Sequence, residues 1–206
     1  KVAGRRVFGT VFFSDLQGFT SFCSTCAPEE VVRQINRYLT IVTEVILAHG
    51  GTVHKFIGDG VMAVFGDPVP QKDHATRAVA AGLEIQERMA RLRAQASGDE
   101  WPMVVRIGLH PGELVAGDIG SESMLEYTVM GETVSVASRL EGANKELGTS
   151  ILMSAATAGL IRPIYSPRSL GKIEVRGLAE PLEVFTVGPS TETSERSMTC
   201  PPEHSS

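Results

Sequence analysis

The sequence predicts an α+β domain whose mostly antiparallel sheet carries helices on one face. Residues 5–14 are rich in β-branched and aromatic side chains, which is typical of a strand. Two short apolar runs, 52–57 and 61–65, flank an Asp-Gly turn at Asp59, and this pattern is a strong hairpin signal. Two long segments with apolar residues at three- and four-residue steps predict helices. The order strand, helix, strand, strand, helix, strand is the split β-α-β-β-α-β arrangement of a ferredoxin-like core.

The two helices have recognisable ends. The first is predicted over 28–49, because Pro28 suits a first helical turn and Gly50 stops the helix. One buried stripe is expected along it, formed by Val31, Ile35, Leu39, Val42 and Ile46. The second helix is predicted over about 73–94.

The second half of the chain predicts further strands and a third helix. Residues 103–109 and 113–119 are expected to form a hairpin around Pro111-Gly112, and 133–147 a helix. The remaining segments alternate short strands and turns, which adds C-terminal strands to the core. Residues 188–206 are rich in Ser, Thr, Glu and Pro, so we expect one domain over 1–187 and a disordered tail over 188–206.

Composition restricts the possible partners. A net charge of −5 disfavours generic binding to nucleic acid, and no apolar run is long enough to span a bilayer. The chain shows no signal peptide and opens directly on a strand-like segment, which we interpret as a fragment with an upstream regulatory part. Only 3 cysteines fit a reducing compartment, so a cytoplasmic domain is expected, with membrane attachment of the parent protein left open.

Some residues with chemical potential are expected to be structural. Cys23 and Cys26 form a lone C-x-x-C without a second ligand pair, and we expect both to pack beside the first helix. Cys200 belongs to the predicted tail. His54 and His110 lie in strand-like runs and are also expected to pack.

Asp15 and Asp59 are the candidate metal ligands. Asp15 ends the first strand and Asp59 occupies the tip of the next hairpin, so adjacent strands bring the two carboxylates together. Each raises the pKa of the other unless a cation lies between them. Such hard oxygen ligands suit Mg²⁺ or Mn²⁺, and a pair of ions about 3.5–4 Å apart can activate an attacking oxygen and neutralise a leaving one. Taken singly, Asp15 is better explained as a strand-ending cap and Asp59 as a turn residue, and the surrounding residues favour the metal site.

Three motifs together resemble a known family. A glycine-containing connection follows Asp15, and the N–H groups at such a helix start can cradle a triphosphate. The segments 13–20, 55–60 and 127–140 resemble the signatures of class III adenylyl and guanylyl cyclase catalytic domains, and the likeness runs from about 7 to 187. The resemblance implies two metal ions, an ATP substrate and a homodimer with shared active sites.

The resemblance assigns a role to each motif residue. Asp15 and Asp59 would hold the metal ions with help from the Leu16 carbonyl. Arg139 would stabilise charge in the transition state. The remaining substrate contacts would be the backbone of Gln17, Gly18, Phe19 and Thr20 for the β- and γ-phosphates, Arg176 for the terminal phosphates, and Lys55 with Thr128 for the base.

Lys55 and Thr128 favour adenine over guanine. Lysine carries only donors and can bond adenine N1, whereas guanine has a proton at that position. Thr128 can accept a hydrogen bond from the adenine amino group. Adenylyl cyclases of this family carry lysine with aspartate or threonine at this pair, whereas guanylyl cyclases usually carry glutamate with a small residue.

Two positions depart from the family pattern. Ser135 replaces an asparagine that orients the ribose, and its shorter side chain reaches the sugar only through a water. The loss of one such contact costs about 2–4 kcal/mol in the chemical step. Arg176 replaces a lysine, which keeps the charge but changes its geometry, and Lys172 competes for that role.

Three other functions stay open at this point. Ser135 is consistent with a degenerate domain that binds ATP without turning it over. Guanylyl cyclase activity would show that the interpretation of Lys55 and Thr128 is wrong. A diguanylate-producing relative fits poorly, because the chain lacks a Gly-Gly-Asp-Glu/Phe-like segment.

Overall fold

The computed structural model describes residues 4–96, 101–121 and 123–188. In chain order the elements are β1 (Arg5–Leu16), α1 (Phe19–Thr25), α2 (Pro28–Ala48), β2 (Thr52–Ile57), β3 (Gly60–Phe65), α3 (His74–Gln95), β4 (Val105–Ser121), β5 (Met124–Met130), α4 (Glu132–Leu147), β6 (Ile151–Ser154), α5 (Ala155–Leu160), a 3₁₀ turn (Pro163–Tyr165), β7 (Arg168–Ile173) and β8 (Leu182–Thr186). The predicted order of the core elements and the additional C-terminal strands are confirmed.

The strands form one sheet in the order β2-β3-β1-β4-β6-β8-β7, and β5 pairs with β4. β4 and β6 are parallel, whereas the other pairs are antiparallel, as the sequence predicts. β1 lies at the centre between β3 and β4, and the β2–β3 hairpin lies beside it. This arrangement brings the end of β1 next to the Asp59 turn.

Both faces of the sheet are covered, so the prediction of helices on one face was wrong. The helices α2 and α3 pack over the main core, which includes Phe12, Ile107 and Ile151. The helix α4 covers the opposite face, where Leu140 packs on Leu152. All four residues of β6 are buried, so both faces of this strand are covered by other elements.

The predicted hairpin around Pro111-Gly112 was also wrong, because β4 runs unbroken through both residues. Pro111 pairs with Thr10 of β1. On the other edge of β4, β6 reaches only to Leu109 and β5 begins only at Val115, so the missing N–H of proline interrupts no ladder there.

Residues 189–206, which hold most of the predicted tail and Cys200, lie outside the described residues. Within the described part of the chain, no helix is both long and apolar enough to cross a membrane.

Candidate active site

The structure brings Asp15 and Asp59 together at the end of β1. The Leu16 N–H donates a hydrogen bond of 3.0 Å to Asp59 Oδ2, which fixes the hairpin turn against β1. Burial raises the pKa of Asp59, hydrogen bonds partly offset this effect, and the neighbouring charge of Asp15 raises the pKa further. The two carboxyl groups are therefore close enough to interact.

Arg106 and Glu141 complete this cluster, and the sequence analysis missed both. Arg106 lies opposite Asp15 in the β1–β4 ladder, and its guanidinium meets both carboxylate oxygens, with Nε 3.2 Å from Oδ1 and Nη2 3.3 Å from Oδ2. The same Nε lies 3.4 Å from Glu141 Oε1 on α4. Arg106 thus links two carboxyl groups that are distant in sequence.

The carboxyl group of Glu141 is buried beside Asp15 and Arg106. Burial raises the pKa of Glu141 to about 9, and a hydrogen bond and the charge of Asp15 act in the same direction, while Arg106 opposes them. Beneath the cluster, the buried Tyr38 hydroxyl shares a hydrogen bond of 2.8 Å with Ser14 Oγ. Burial raises the pKa of Tyr38, and the three nearby carboxyl groups raise it further.

The donor set at this cluster fits a hard divalent cation. Two aspartates and the buried carboxyl group of Glu141 share one guanidinium, which leaves an excess of negative charge. Among residues 4–96, 101–121 and 123–188, no group of three or more His, Cys, Asp and Glu side chains has the arrangement of a metal site. Mg²⁺ commonly binds through one or two carboxylates and completes its shell with phosphate oxygens and water.

The predicted phosphate segment turns sharply at Gly18. This residue has φ 75°, a left-handed conformation that favours glycine, and α1 begins at the next residue. The Gln17 N–H already donates to the Val104 carbonyl at 2.8 Å, so its backbone donor is occupied, contrary to the expectation for Gln17. The N–H groups of Gly18, Phe19 and Thr20 remain as the candidate phosphate donors at the helix start.

The predicted base-selecting residues lie on β2 and β5, which contact each other. Lys55 Nζ is 3.5 Å from Glu126 Oε2 on β5. The Thr128 hydroxyl is buried and has no hydrogen-bond partner within the described residues. It can therefore accept a new partner once the side chains that cover it move.

Thr128 on β5 is remote from the carboxylates along β4, whereas Lys55 on β2 lies nearer to them, since it pairs with Met62 and Met62 pairs with Phe13 of β1. Asp15 pairs with Arg106, whereas Thr128 pairs with Gly117, eleven positions further along the same strand. At about 3.3 Å per residue this separation corresponds to about 36 Å of strand contour. The ladder thus places the metal-binding candidates and Thr128 toward opposite ends of β4.

Ser135 and Arg139 are exposed on one face of α4, one turn apart. The Arg139 guanidinium lies over Gly177, with Nη1 3.0 Å from the position that a Cβ atom would occupy there. Gly177 has φ 92° and follows Arg176, which is also exposed. The structure therefore brings Arg139 beside the Arg176 loop.

The histidines pack as expected, and one of the cysteines does not. The His54 side chain is 1% exposed, and His110 Nδ1 forms a hydrogen bond of 2.7 Å with Ser154 Oγ. Cys26 packs at the edge of the main core. Cys23 is exposed on the short helix α1, so its predicted packing role was wrong.

The fold and the carboxylate pair define a domain of the nucleotide cyclase type. Residues 7–188 match the family model described as "Adenylate and Guanylate cyclase catalytic domain". The chain therefore belongs to this family.

Relatives within the family include enzymes named for either nucleotide. Adenylate cyclase 1 of Rhizobium meliloti (strain 1021) is 37% identical over 179 residues, which are 86% of this chain and 27% of that protein. The crystal structure of the adenylyl cyclase CyaB from P. aeruginosa superposes with a TM-score of 0.84 at 36% identity, covering 92% of this chain and 98% of that one. The guanylyl cyclase Cya2 superposes with a TM-score of 0.80 at 34% identity, covering 95% and 99%.

Proposed function

We propose that this domain is an adenylyl cyclase that converts ATP to 3′,5′-cyclic AMP and pyrophosphate between two copies of the chain. The observation that carries the proposal is the meeting of Asp15 and Asp59, tied by the Leu16 N–H and buried enough to shift the pKa of Asp59. Such a pair is suited to hold two divalent ions, Mg²⁺ or Mn²⁺, over a triphosphate.

The reaction is attack of the ribose 3′-oxygen on the α-phosphorus with loss of pyrophosphate. Divalent ions held at this site would lower the pKa of the 3′-hydroxyl and neutralise the triphosphate. Asp15 and Asp59 are the side chains that would hold these ions, and the Leu16 carbonyl would be a further oxygen ligand. The N–H groups of Gly18, Phe19 and Thr20 bind the β- and γ-phosphates.

A side-chain general base is not required. The rings of His54 and His110 are packed into the fold, and burial beside Asp15 raises the pKa of Glu141. Arg106 places a guanidinium beside Asp15 and offsets part of the negative charge of the carboxylate pair.

Two copies of the chain are needed because one copy carries two separated half-sites. Arg139 lies beside the Arg176 loop, whereas Glu141, two residues later on α4, faces Asp15. As the family resemblance implies, Arg139, Lys55 and Thr128 of one subunit serve the nucleotide whose metal ions and phosphates the other subunit binds. We place Arg176 with them because its loop lies beside Arg139. This arrangement requires a symmetric homodimer.

ATP is the proposed substrate because Lys55 offers only donors and the Thr128 hydroxyl is unpartnered. A second candidate is a domain that binds ATP with little or no turnover, and Ser135 favours it, because an exposed serine is too short to replace the family asparagine. Guanylyl cyclase activity is the third, since Cya2 is among the structural neighbours.

We also propose that residues 1–187 form the catalytic unit of a longer protein with an upstream regulatory part, and that this unit acts in the cytoplasm. Support comes from the family match over 7–188 and from the 27% share of the R. meliloti protein that the chain spans.

The test is incubation of the purified chain with ATP or GTP and Mn²⁺ at several protein concentrations, followed by separation of the products. We expect cyclic AMP from ATP, with a rate per subunit that rises with protein concentration. ATP binding without product at high protein concentration would favour the inactive alternative. A higher kcat/KM for GTP would favour the guanylyl cyclase.

A further inference from the structure

The strand β2 contains a bulge at His54. Val53 pairs with Ala63 of β3, but the next pair along the ladder is Lys55 with Met62, so His54 is an extra residue without a partner on β3. Bulges of this kind bend a strand and re-aim the side chains that follow, and they are frequent beside active sites.

The bulge determines which face of the sheet Lys55 occupies. Side chains directly opposite each other in a ladder share a face, and a shift of one residue moves a side chain to the other face. Met62 belongs to the apolar group on the side that α4 partly covers. Without the bulge Lys55 would lie opposite Val61, which belongs to the main core under α2 and α3. His54 therefore keeps the lysine out of the core.

The His54 ring is fixed by its neighbours rather than by hydrogen bonds. Its side chain is 1% exposed, and its ring stacks on Tyr127 with centroids 5.9 Å apart and an interplanar angle of 21°. His54 Nε2 lies 4.0 Å from Asp67 Oδ2, and within the described residues neither ring nitrogen makes a hydrogen bond of ordinary geometry. Burial lowers the pKa of His54, which favours the neutral ring.

Asp67 links the bulge to β5. Its carboxylate is fully buried, accepts a hydrogen bond of 3.0 Å from the Tyr127 hydroxyl and forms an ion pair with Arg5. Arg5 also donates to the Tyr127 hydroxyl at 3.2 Å. A buried carboxylate is stable only when it is paired in this way, so Asp67 holds Tyr127 in one position.

His54 immediately precedes Lys55, and Tyr127 immediately precedes Thr128. We infer that His54, Asp67 and Tyr127 form a positioning network that sets the direction of Lys55 and its spacing from Thr128, and thereby sets the preference for ATP over GTP. The inference rests on the proposed function, because it assumes that Lys55 and Thr128 contact the base. The three network residues act through that pair and are positioning residues.

The test is Tyr127→Phe, which keeps the ring against His54 and removes only the hydroxyl that Asp67 holds. Tyr165→Phe, in the 3₁₀ turn, is the matched control. The measurements are kcat and KM for ATP and GTP, and the Kd of 3′-deoxy-ATP and 3′-deoxy-GTP, which lack the attacking hydroxyl. We expect the ATP:GTP ratio of kcat/KM to fall roughly tenfold for Tyr127→Phe. The fall should appear in KM and in Kd, and the control Tyr165→Phe should show no change in the ratio.

Asp67→Asn provides a second variant in case the first folds poorly, and Lys55→Glu calibrates the assay. An unchanged ratio in both network variants, alongside a changed ratio in Lys55→Glu, would overturn the inference and leave the proposed function standing. An unchanged ratio in Lys55→Glu would overturn the base assignment and the inference with it. A wild-type chain that makes no cyclic AMP but still binds 3′-deoxy-ATP in preference to 3′-deoxy-GTP would contradict only the proposed turnover. A loss of that binding preference in Tyr127→Phe would then still support the network.

Discussion

Arg139 and Glu141 lie two residues apart on α4, and their side chains contact different parts of the molecule on opposite sides of the helix. Arg139 reaches over Gly177, whereas Glu141 lies against Arg106 and acts on Asp15. Two residues along an α-helix correspond to a rotation of about 200°, so the two side chains leave α4 in opposite directions. The separation of these two residues leads to the first prediction.

Mixing two inactive variants is expected to restore activity. In a mixed dimer of Asp59→Asn and Arg139→Ala chains, one of the two sites combines an intact Asp59 with an intact Arg139. Random exchange of equal amounts gives about a quarter of the wild-type rate per chain. The measurement is cyclic AMP production by each variant alone and by the mixture. A mixture that stays as inactive as the separate variants would mean that each chain holds a complete site.

Asp59→Asn alone is expected to lower metal-dependent turnover by about a thousandfold or more. Asparagine keeps an acceptor for the Leu16 N–H and removes a partly buried charge, so the fold should be retained. Steady-state rates with Mn²⁺ give the first quantity, and thermal unfolding gives the second. A variant with near-normal rates would exclude the aspartate as a metal ligand.

Ser135→Asn is expected to leave kcat unchanged or to raise it, by about 30- to 1000-fold where the full contact of about 2–4 kcal/mol is restored. The side chain at 135 is exposed on the same face of α4 as Arg139, so an amide at this position has room to reach the sugar. The measurement is kcat for ATP, with Ser138→Asn on the same helix as the control. A large fall in kcat would show that serine itself takes part in the reaction.

His110 makes the fold sensitive to acid. Burial lowers the pKa of His110 from 6.5 to about 4, so the unfolded chain binds this proton at a higher pH than the folded chain does. Between pH 6.5 and 4 the unfolded state therefore holds more protons, and the free energy of unfolding falls as the pH is lowered. The loss from this group is roughly 2 kcal/mol once partial solvent exposure is discounted.

His110→Asn is expected to reduce this pH dependence, because asparagine can keep a hydrogen bond to Ser154 without titrating. The measurement is denaturant unfolding of both proteins at intervals between pH 4 and 7. The shift should be partial, since burial also lowers the pKa of His54 and His74. Parallel stability curves for the two proteins would contradict the prediction.

The sequence predicted the elements that local patterns define. The helix over 28–49 and the hairpin at Asp59 follow from capping residues, apolar periodicity and turn chemistry, and the structure has them within a few residues. The meeting of Asp15 with Asp59 was predictable because β1 and the hairpin are neighbours in the split arrangement. Their roles toward metal and substrate remain predictions.

The error at Pro111-Gly112 arose because glycine has two different uses. Gly112 reads as a turn residue, but both Gly112 and Gly108 lie where α4 approaches β4 so closely that a Cβ atom would collide with the helix or with Thr133. A tertiary contact of this kind leaves no local signature. Arg106 and Glu141 were missed for a similar reason, since only the β1–β4 register and the packing of α4 bring them to Asp15.

The unbroken course of β4 also has a bearing on how a dimer could be regulated. Near its start β4 carries Arg106, which pairs with Asp15. Near its end β4 pairs with β5, and Thr128 of β5 would contact the base in the second active site of the proposed dimer. In such a dimer each copy of β4 would connect residues of both active sites. A signal that changes the twist of β4 would therefore change the activity of both active sites together.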